Sequence, residues 1–213
     1  MSARLAAFAR RFRRDTSGVA LLEFALTLPV LLLLSLTGAE LTNYITTKMR
    51  ISQISLHLAD NAARIGSGSQ LALKTISESD INDLFTGANM QSGELALQTN
   101  GRIILSSVEV DSAHTGKYKI AWQRCYGAKT THASTYGVAG ANNLTGVGPA
   151  GRQTVAPADG AAMFVEVYYV YQPLVKSSLA PSANMTEIAS MMVRDRRDLT
   201  QVYPVSGVTA STC

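Results

Sequence analysis

The chain has 213 residues, of which 46% are hydrophobic and only 7% aromatic. That length allows one membrane segment plus one domain of about 150 residues, large enough for a real core, and not two further domains. The net charge of +4 sits in the first 18 residues, where Arg4, Arg10, Arg11, Arg13 and Arg14 face a single acid, Asp15. Without that leader the 19 basic and 15 acidic residues fall to 14 of each, so the remainder is neutral and a nucleic-acid binder with a basic domain surface is excluded.

Behind the leader, Val19 to Leu36 forms an 18-residue apolar run. As a helix it rises about 27 Å, close to the thickness of a bilayer's hydrocarbon core. Its one ionisable residue is Glu23, whose insertion costs up to about 3 kcal/mol, against roughly 4 to 7 kcal/mol contributed by nine Leu, two Val and one Phe. Insertion wins, and an acid retained in such a segment is by default functional. Five arginines before the span keep the N-terminus inside and export everything after about residue 40. Pro29 lies within the run, where it removes a backbone hydrogen bond and crowds the carbonyl of Ala25, so a kink is expected there.

Two other readings share these residues. A basic and then apolar N-terminus also describes a secretory signal, with Thr37-Gly38-Ala39 available for cleavage before Glu40. An uncut signal-anchor has the same leader and span. Neither gives Glu23 a reason to stand five residues after Gly18.

Gly18 followed at once by an apolar run, with Glu23 and Phe24 at the fifth and sixth places, resembles the cleavage region of type IV prepilins. The wider segment GVALLEFALTLPVLLLLSLTGAELTNY, with its second glutamate Glu40, followed by NAARIG and a weaker echo in SESDINDLF, resembles the TadE-like minor pseudopilins of tight-adherence (Tad) pilus systems. The resemblance covers roughly residues 14 to 66. It implies cutting between Gly18 and Val19 by a membrane-embedded aspartyl prepilin peptidase, after which the new amine of Val19 neutralises Glu23 in its own subunit or a neighbour. Phe24 stands where major Tad pilins commonly have tyrosine, which favours a minor or pseudopilin role. The implied partners are other pilin or pseudopilin subunits and the inner-membrane assembly platform, with the exported domain in the periplasm or the extracellular pilus.

After the span the helix is expected to continue, because Leu41, Tyr44, Ile45, Ile51, Ile54, Leu58, Ala62 and Ile65 recur at spacings of three and four until Gly66 and Gly68 stop it. Residues 1–18 are thus the leader, 19–39 the transmembrane half of the helix, 40–66 its amphipathic continuation and 67–213 the exported domain. Within that domain GSGSQ reads as a connector, and Ser77 to Ala88 as a helix with a capping-box-like Ser77 and Asp80. Leu95 and Leu97 on one side of Asn100-Gly101, and Ile103 to Val110 on the other, predict a β-hairpin. Lys117 to Gln123 is a third strand, 126 to 160 a long loop, Ala162 to Tyr171 a strand of high β-propensity, and Glu187 to Arg194 a last strand. The expected fold class is α+β: a long N-terminal helix packed on a four- to five-stranded, mostly antiparallel sheet, pilin-like by the resemblance.

Cys125 and Cys213 are an even count in a segment expected to be exported, where disulfides persist, so their pairing is expected, with two unrelated thiols as the alternative. A disulfide pinning the C-terminus also resembles that of many pilins. His57, His114 and His132 are dispersed without metal-ligand spacing, and GVGPAG at 146 to 151 matches a dinucleotide fingerprint only formally, since it contains Pro149 and opens no helix. Asn143 and Asn184 begin sequons that read as chance. The mixed run Arg194 to Asp198 reads as a solvated edge. No cofactor, metal, small-molecule substrate or catalytic residue is expected. The expected function is assembly of a Tad-type pilus. The alternatives are an uncleaved membrane-anchored module that binds a ligand or surface, and an exported enzyme.

Overall fold

A computed structural model describes residues 17–68, 72–175, 181 and 184–213. The basic leader up to residue 16 and the last two residues of the GSGSQ connector, Ser69 and Gln70, lie outside the described residues. The chain divides into two units, one taking the chain to Asn43 with Pro173–Pro181, the other Tyr44–Gln172 with Ser182–Cys213. Helix α1, Ser17–Arg64, contributes to both and is unbroken through Pro29.

In the second unit α1 buries the face expected from its spacing. Ile51, Ile54, Leu58 and Ala62 are almost inaccessible, joined by Ala59 and Ala63. The stripe does not extend back to its predicted start, because Ile45 is 48% exposed. Tyr44 instead meets Tyr171 edge-on, ring centroids 5.2 Å apart. Helix α2, Glu78–Ser92, runs one turn past its predicted end. Its start follows from local chemistry. The Ser77 hydroxyl accepts the Asp80 N–H at 3.2 Å, and the Asp80 carboxylate accepts the Ser77 N–H at 2.9 Å, so two orphan amide donors are satisfied reciprocally. Ile81 and Phe85 on the inner face of α2 join the α1 stripe, each burial contributing roughly 2 kcal/mol.

The predicted hairpin at Asn100-Gly101 is corrected. Gly93–Leu95 forms a 3-10 turn and Leu97–Asn100 a single helical turn, α3, so no strand precedes Gly101. Leu95 and Leu97 are both buried, an outcome that alternation had attributed to one face of a strand. Gly101 is needed for close approach: a Cβ there would lie 2.4 Å from the Leu97 side chain and 3.0 Å from the Tyr168 carbonyl.

The sheet therefore has four strands: β1 Gly101–Val110, β2 Tyr118–Tyr126, β3 Ala161–Val170 and β4 Asn184–Met192. They are antiparallel throughout in the order β2-β1-β3-β4, with one register shift between Ser107 and Val108 in the β1–β2 ladder. Alternation divides the side chains. Ile103, Leu105, Met163, Val165, Val167, Tyr169 and Ala189 face α1 and α2 in the main core. On the opposite face, Val108, Ile120, Ala162 and Phe164 form a smaller core with Val147. That second face is covered by the segment 127–160, which predicts as a loop and has only isolated bridges, Tyr118 with Leu144 and Val147 with Thr154. Coverage of both faces explains why β1 and β3 are buried along nearly their whole length. GVGPAG lies in the turn closed by the Val147–Thr154 bridge and opens no helix.

Candidate assembly segment and its supporting clusters

The first unit presents an apolar helix whose side chains are largely exposed among the described residues, with Val175 and Pro181 beside Pro29, Leu33, Leu36 and Glu40. Its most apolar 18-residue window has a mean hydropathy of 2.4 and is 0% buried, and this is one helix near the N-terminus long and apolar enough to cross a membrane. Leu21, Leu22, Leu26, Leu31 and Leu34 are each at least 60% exposed. Gly18, Val19, Glu23 and Phe24 all stand on this exposed surface, within about two turns of the first described residue. Glu23 is the sole ionisable side chain of α1 between Ser17 and Ala39. The Thr27 hydroxyl donates to the Glu23 carbonyl at 2.9 Å, a bond back along the helix that shields a main-chain acceptor just before Pro29.

Glu40 behaves differently from Glu23. It is only 6% exposed, and its Oε2 accepts the Val175 N–H at 2.9 Å within the same unit. The sequence supplies Glu40 only as part of a resemblance. Its hydrogen-bond partner lies 135 residues further on, and no local pattern points to it.

In the second unit the charged residues hold elements in place. Arg124 on β2 forms a forked pair with Glu78 at the start of α2, Nε donating to Oε2 at 2.9 Å and Nη2 to Oε1. Arg197 is buried, and its guanidinium donates to the carbonyls of Ala62 and Ile65, the orphan acceptors at the C-terminal end of α1. Burial pushes its pKa down to about 10, partly offset by Asp195, so it remains charged at neutral pH. The reading of Arg194 to Asp198 as a solvated edge holds for the exposed Arg194, Asp195 and Arg196 and is corrected at Arg197. Asp195 pairs with Lys74 at 2.6 Å and Asp198 accepts from Tyr203, while Arg197 turns inward. The signal that could have found it is position, a cation placed to meet helix-end carbonyls, but only after the topology is known.

The long loop is tied down by Glu166, a fully buried carboxylate on β3. It accepts hydrogen bonds from the Ser134 and Thr135 hydroxyls, both at 3.0 Å, and from the Thr135 N–H, and it lies 3.1 Å from His132 Nε2. His132 stacks on Tyr168 with ring centroids 4.0 Å apart. The Ser134 hydroxyl is given to the carboxylate and not to His132, so these three residues lack the hydroxyl-to-imidazole contact of an acyl-transfer site. At the other end of the loop Asp111 accepts the Asn143 and Ala113 N–H groups and pairs with His114. These hydrogen bonds, that from Asn143 foremost, hold its carboxyl below the usual carboxylate range.

Cys125 and Cys213 are joined in a disulfide with Cα atoms 4.9 Å apart. The tail leading to it is pinned further by Cys125 N–H to the Ser211 carbonyl at 2.7 Å, by Asn82 to the Thr209 carbonyl at 3.0 Å and by the Ser211 hydroxyl to Asn82 Oδ1 at 2.6 Å. Among the described residues no group of three or more His, Cys, Asp and Glu side chains is placed to hold a metal ion. No protein-family model, no curated protein and no solved structure matches this chain.

Proposed function

We propose that this protein is a minor pilin or pseudopilin subunit, stored in the inner membrane by the first part of α1, cut after Gly18 by a prepilin peptidase, and used in assembling a Tad-type pilus for surface attachment. The observation that carries this reading is the bare apolar surface of α1 with a single acid, Glu23, five residues after Gly18. A helix exposing that many leucines needs lipid or sister helices around it. Within either, an unpaired carboxylate is costly, and a new α-amino group at Val19 supplies the opposite charge about one turn away. Processing thus converts a segment suited to lipid into one suited to packing among like helices. The function is performed by packing and charge pairing, not by turnover.

The experiment is Glu23→Gln in the native host, with membrane insertion and pilus incorporation scored separately. Insertion persists, because the substitution removes a cost, while incorporation falls at least tenfold. Undiminished incorporation would remove the role given to Glu23 and favour an uncleaved anchored module that binds a ligand or surface.

A further inference from the structure

Two hollows of opposite charge lie on opposite faces of the second unit. On the face of the sheet turned away from the helices, Arg152, Thr154, Val155, Ser190, Met192 and Arg194 line a cavity of about 730 Å³, between the turn closed by the Val147–Thr154 bridge and the end of β4. Its lining holds two guanidinium groups and no carboxylate. Neither arginine has an ion-pair partner among the described residues, and the acids that follow Arg194 are taken, Asp195 by Lys74 and Asp198 by Tyr203. The other hollow is a groove of about 420 Å³ between α1 and α2, lined by Leu58, Asn61, Asp80, Asp83, Leu84 and Gly87 among others, with two carboxylates and no cation. Asp80 caps α2, whereas Asp83 is exposed and has no ion-pair partner among the described residues.

We propose that the α1–α2 groove of one copy takes the Arg152–Arg194 rim of a second copy, head to tail. Charge selects the partner. A second copy supplies both missing counter-charges at once, while either hollow set against its own like would face charges of the same sign. Met192, 56% exposed, and Val155, 37% exposed, add apolar surface for the contact to cover. Height permits the match. The chain climbs beside α1 from Glu187, which meets Lys48, to Arg197, which meets the carbonyls of Ala62 and Ile65, so Ser190 and Arg194 stand between those levels. Leu58 and Asn61 of the groove stand between them too. Copies therefore pair side by side with their α1 helices parallel, the arrangement that insertion into one membrane from one side requires. Because the two surfaces differ, the contact is heterologous, and each added copy leaves one groove and one rim open for another. The inference needs parallel α1 helices and does not rest on cleavage at Gly18.

The test uses the full-length chain in detergent micelles. Gly87→Cys and Ser190→Cys place one thiol in each hollow and leave its charges intact. A Cβ at Gly87 meets nothing within 4 Å, and Ser190 is exposed. A short bis-maleimide should link the double variant into a ladder that runs past two copies, and should link neither single variant to itself. The native cysteines are bonded to each other and do not compete. In that double-cysteine background, Arg194→Asp or Asp83→Arg should each weaken the ladder at least tenfold with the unfolding temperature unchanged, and the two together should recover at least half of it. Added salt should weaken it as well, since exposed charges are screened. Absence of a ladder overturns the proposal. So does linkage of either single variant to itself, which would mean a like-to-like contact, and so does a ladder undiminished by the charge reversals. Linkage in host membranes to a different polypeptide in place of a second copy overturns it too.

Discussion

Arg197 terminates the long helix from the far end of the chain: its Nη2 donates to the Ile65 carbonyl at 2.6 Å, and its Nη1 to the Ala62 carbonyl at 3.2 Å. A helix end leaves carbonyls without intrahelical partners, and here a buried guanidinium supplies two donors together with a favourable charge at the negative end of the helix dipole. Charge-assisted bonds of this kind contribute about 1.5 to 3 kcal/mol each. Arg197→Ala should therefore lower the unfolding free energy by about 3 kcal/mol in chemical denaturation. Arg197→Lys should recover only part of that, since an ammonium lacks the fork that reaches both acceptors. Equal stability of Arg197→Lys and wild type would show that charge alone matters at this position.

Glu166 is the anchor of the loop that covers the second face of the sheet. Removing it leaves the half-buried Ser134 and His132 and the exposed Thr135 without their common acceptor, and hydrogen bonds to a charged group contribute about 1.5 to 3 kcal/mol each. Glu166→Ala should be destabilised by about 3 kcal/mol, since water reaches the released donors. It should also become sensitive to trypsin at Lys129, which lies in the released segment. His132→Ala should be milder, because the hydroxyl and amide donors to Glu166 remain.

Reduction tests the tail. The disulfide joins residues separated by 88 positions, for which the chain-entropy model gives about 4 to 5 kcal/mol, an upper figure in a loop already constrained by four strands. Reduced protein, or Cys213→Ser, should lose up to that amount, and amide exchange at Cys125 should accelerate as its Ser211 acceptor is released. Protection at Cys125 unchanged on reduction would show that the tail is held without the disulfide.

Acid should act first where a carboxylate is held below its usual range. The Asp111 pKa is lower in the folded chain than in the unfolded one, so its contribution is fully present above the unfolded value near 4 and is lost as pH falls through the folded value. Stability between pH 7 and pH 2 should therefore fall less steeply in Asp111→Asn than in wild type. The variant should also begin from a lower value, since its amide accepts fewer of the Asn143, Ala113 and His114 bonds. A parallel pH profile in the two proteins would contradict the role assigned to Asp111.

What could be read from the sequence was what depends on neighbours in the chain. The Ser77–Asp80 capping box, the α1 face of Ile51, Ile54, Leu58 and Ala62, and the dense β-formers of β3 are each fixed by contacts within a few residues. The pairing of Cys125 with Cys213 could be expected because only two cysteines exist. The sequence misled at Asn100-Gly101, where a strong turn signal was overridden by tertiary bonds. Asn100 donates to the Leu95 carbonyl, Tyr169 donates to the same carbonyl from β3, and Ala96 adopts a left-handed conformation at φ 47° that ends any strand before Leu97. Gly127, φ 103°, brings its α-carbon against the Gly101 carbonyl, a contact 26 residues away that only glycine allows. Arg197, Glu166 and the Glu40–Val175 bond were hidden for the same reason: each partner is more than 30 residues distant. Of the N-terminal half of α1, the apolar run and Glu23 were legible at once, because fitness to cross a membrane is read from composition and length and not from tertiary contacts.

The central claim is processing at Gly18, and the most direct measurement is the intact mass and N-terminal sequence of the protein extracted from its native membrane. The account predicts a chain beginning at Val19. A chain beginning at Met1 would contradict it in favour of an uncut anchor, and one beginning at Glu40 would mean an ordinary secretory signal and no membrane-stored subunit.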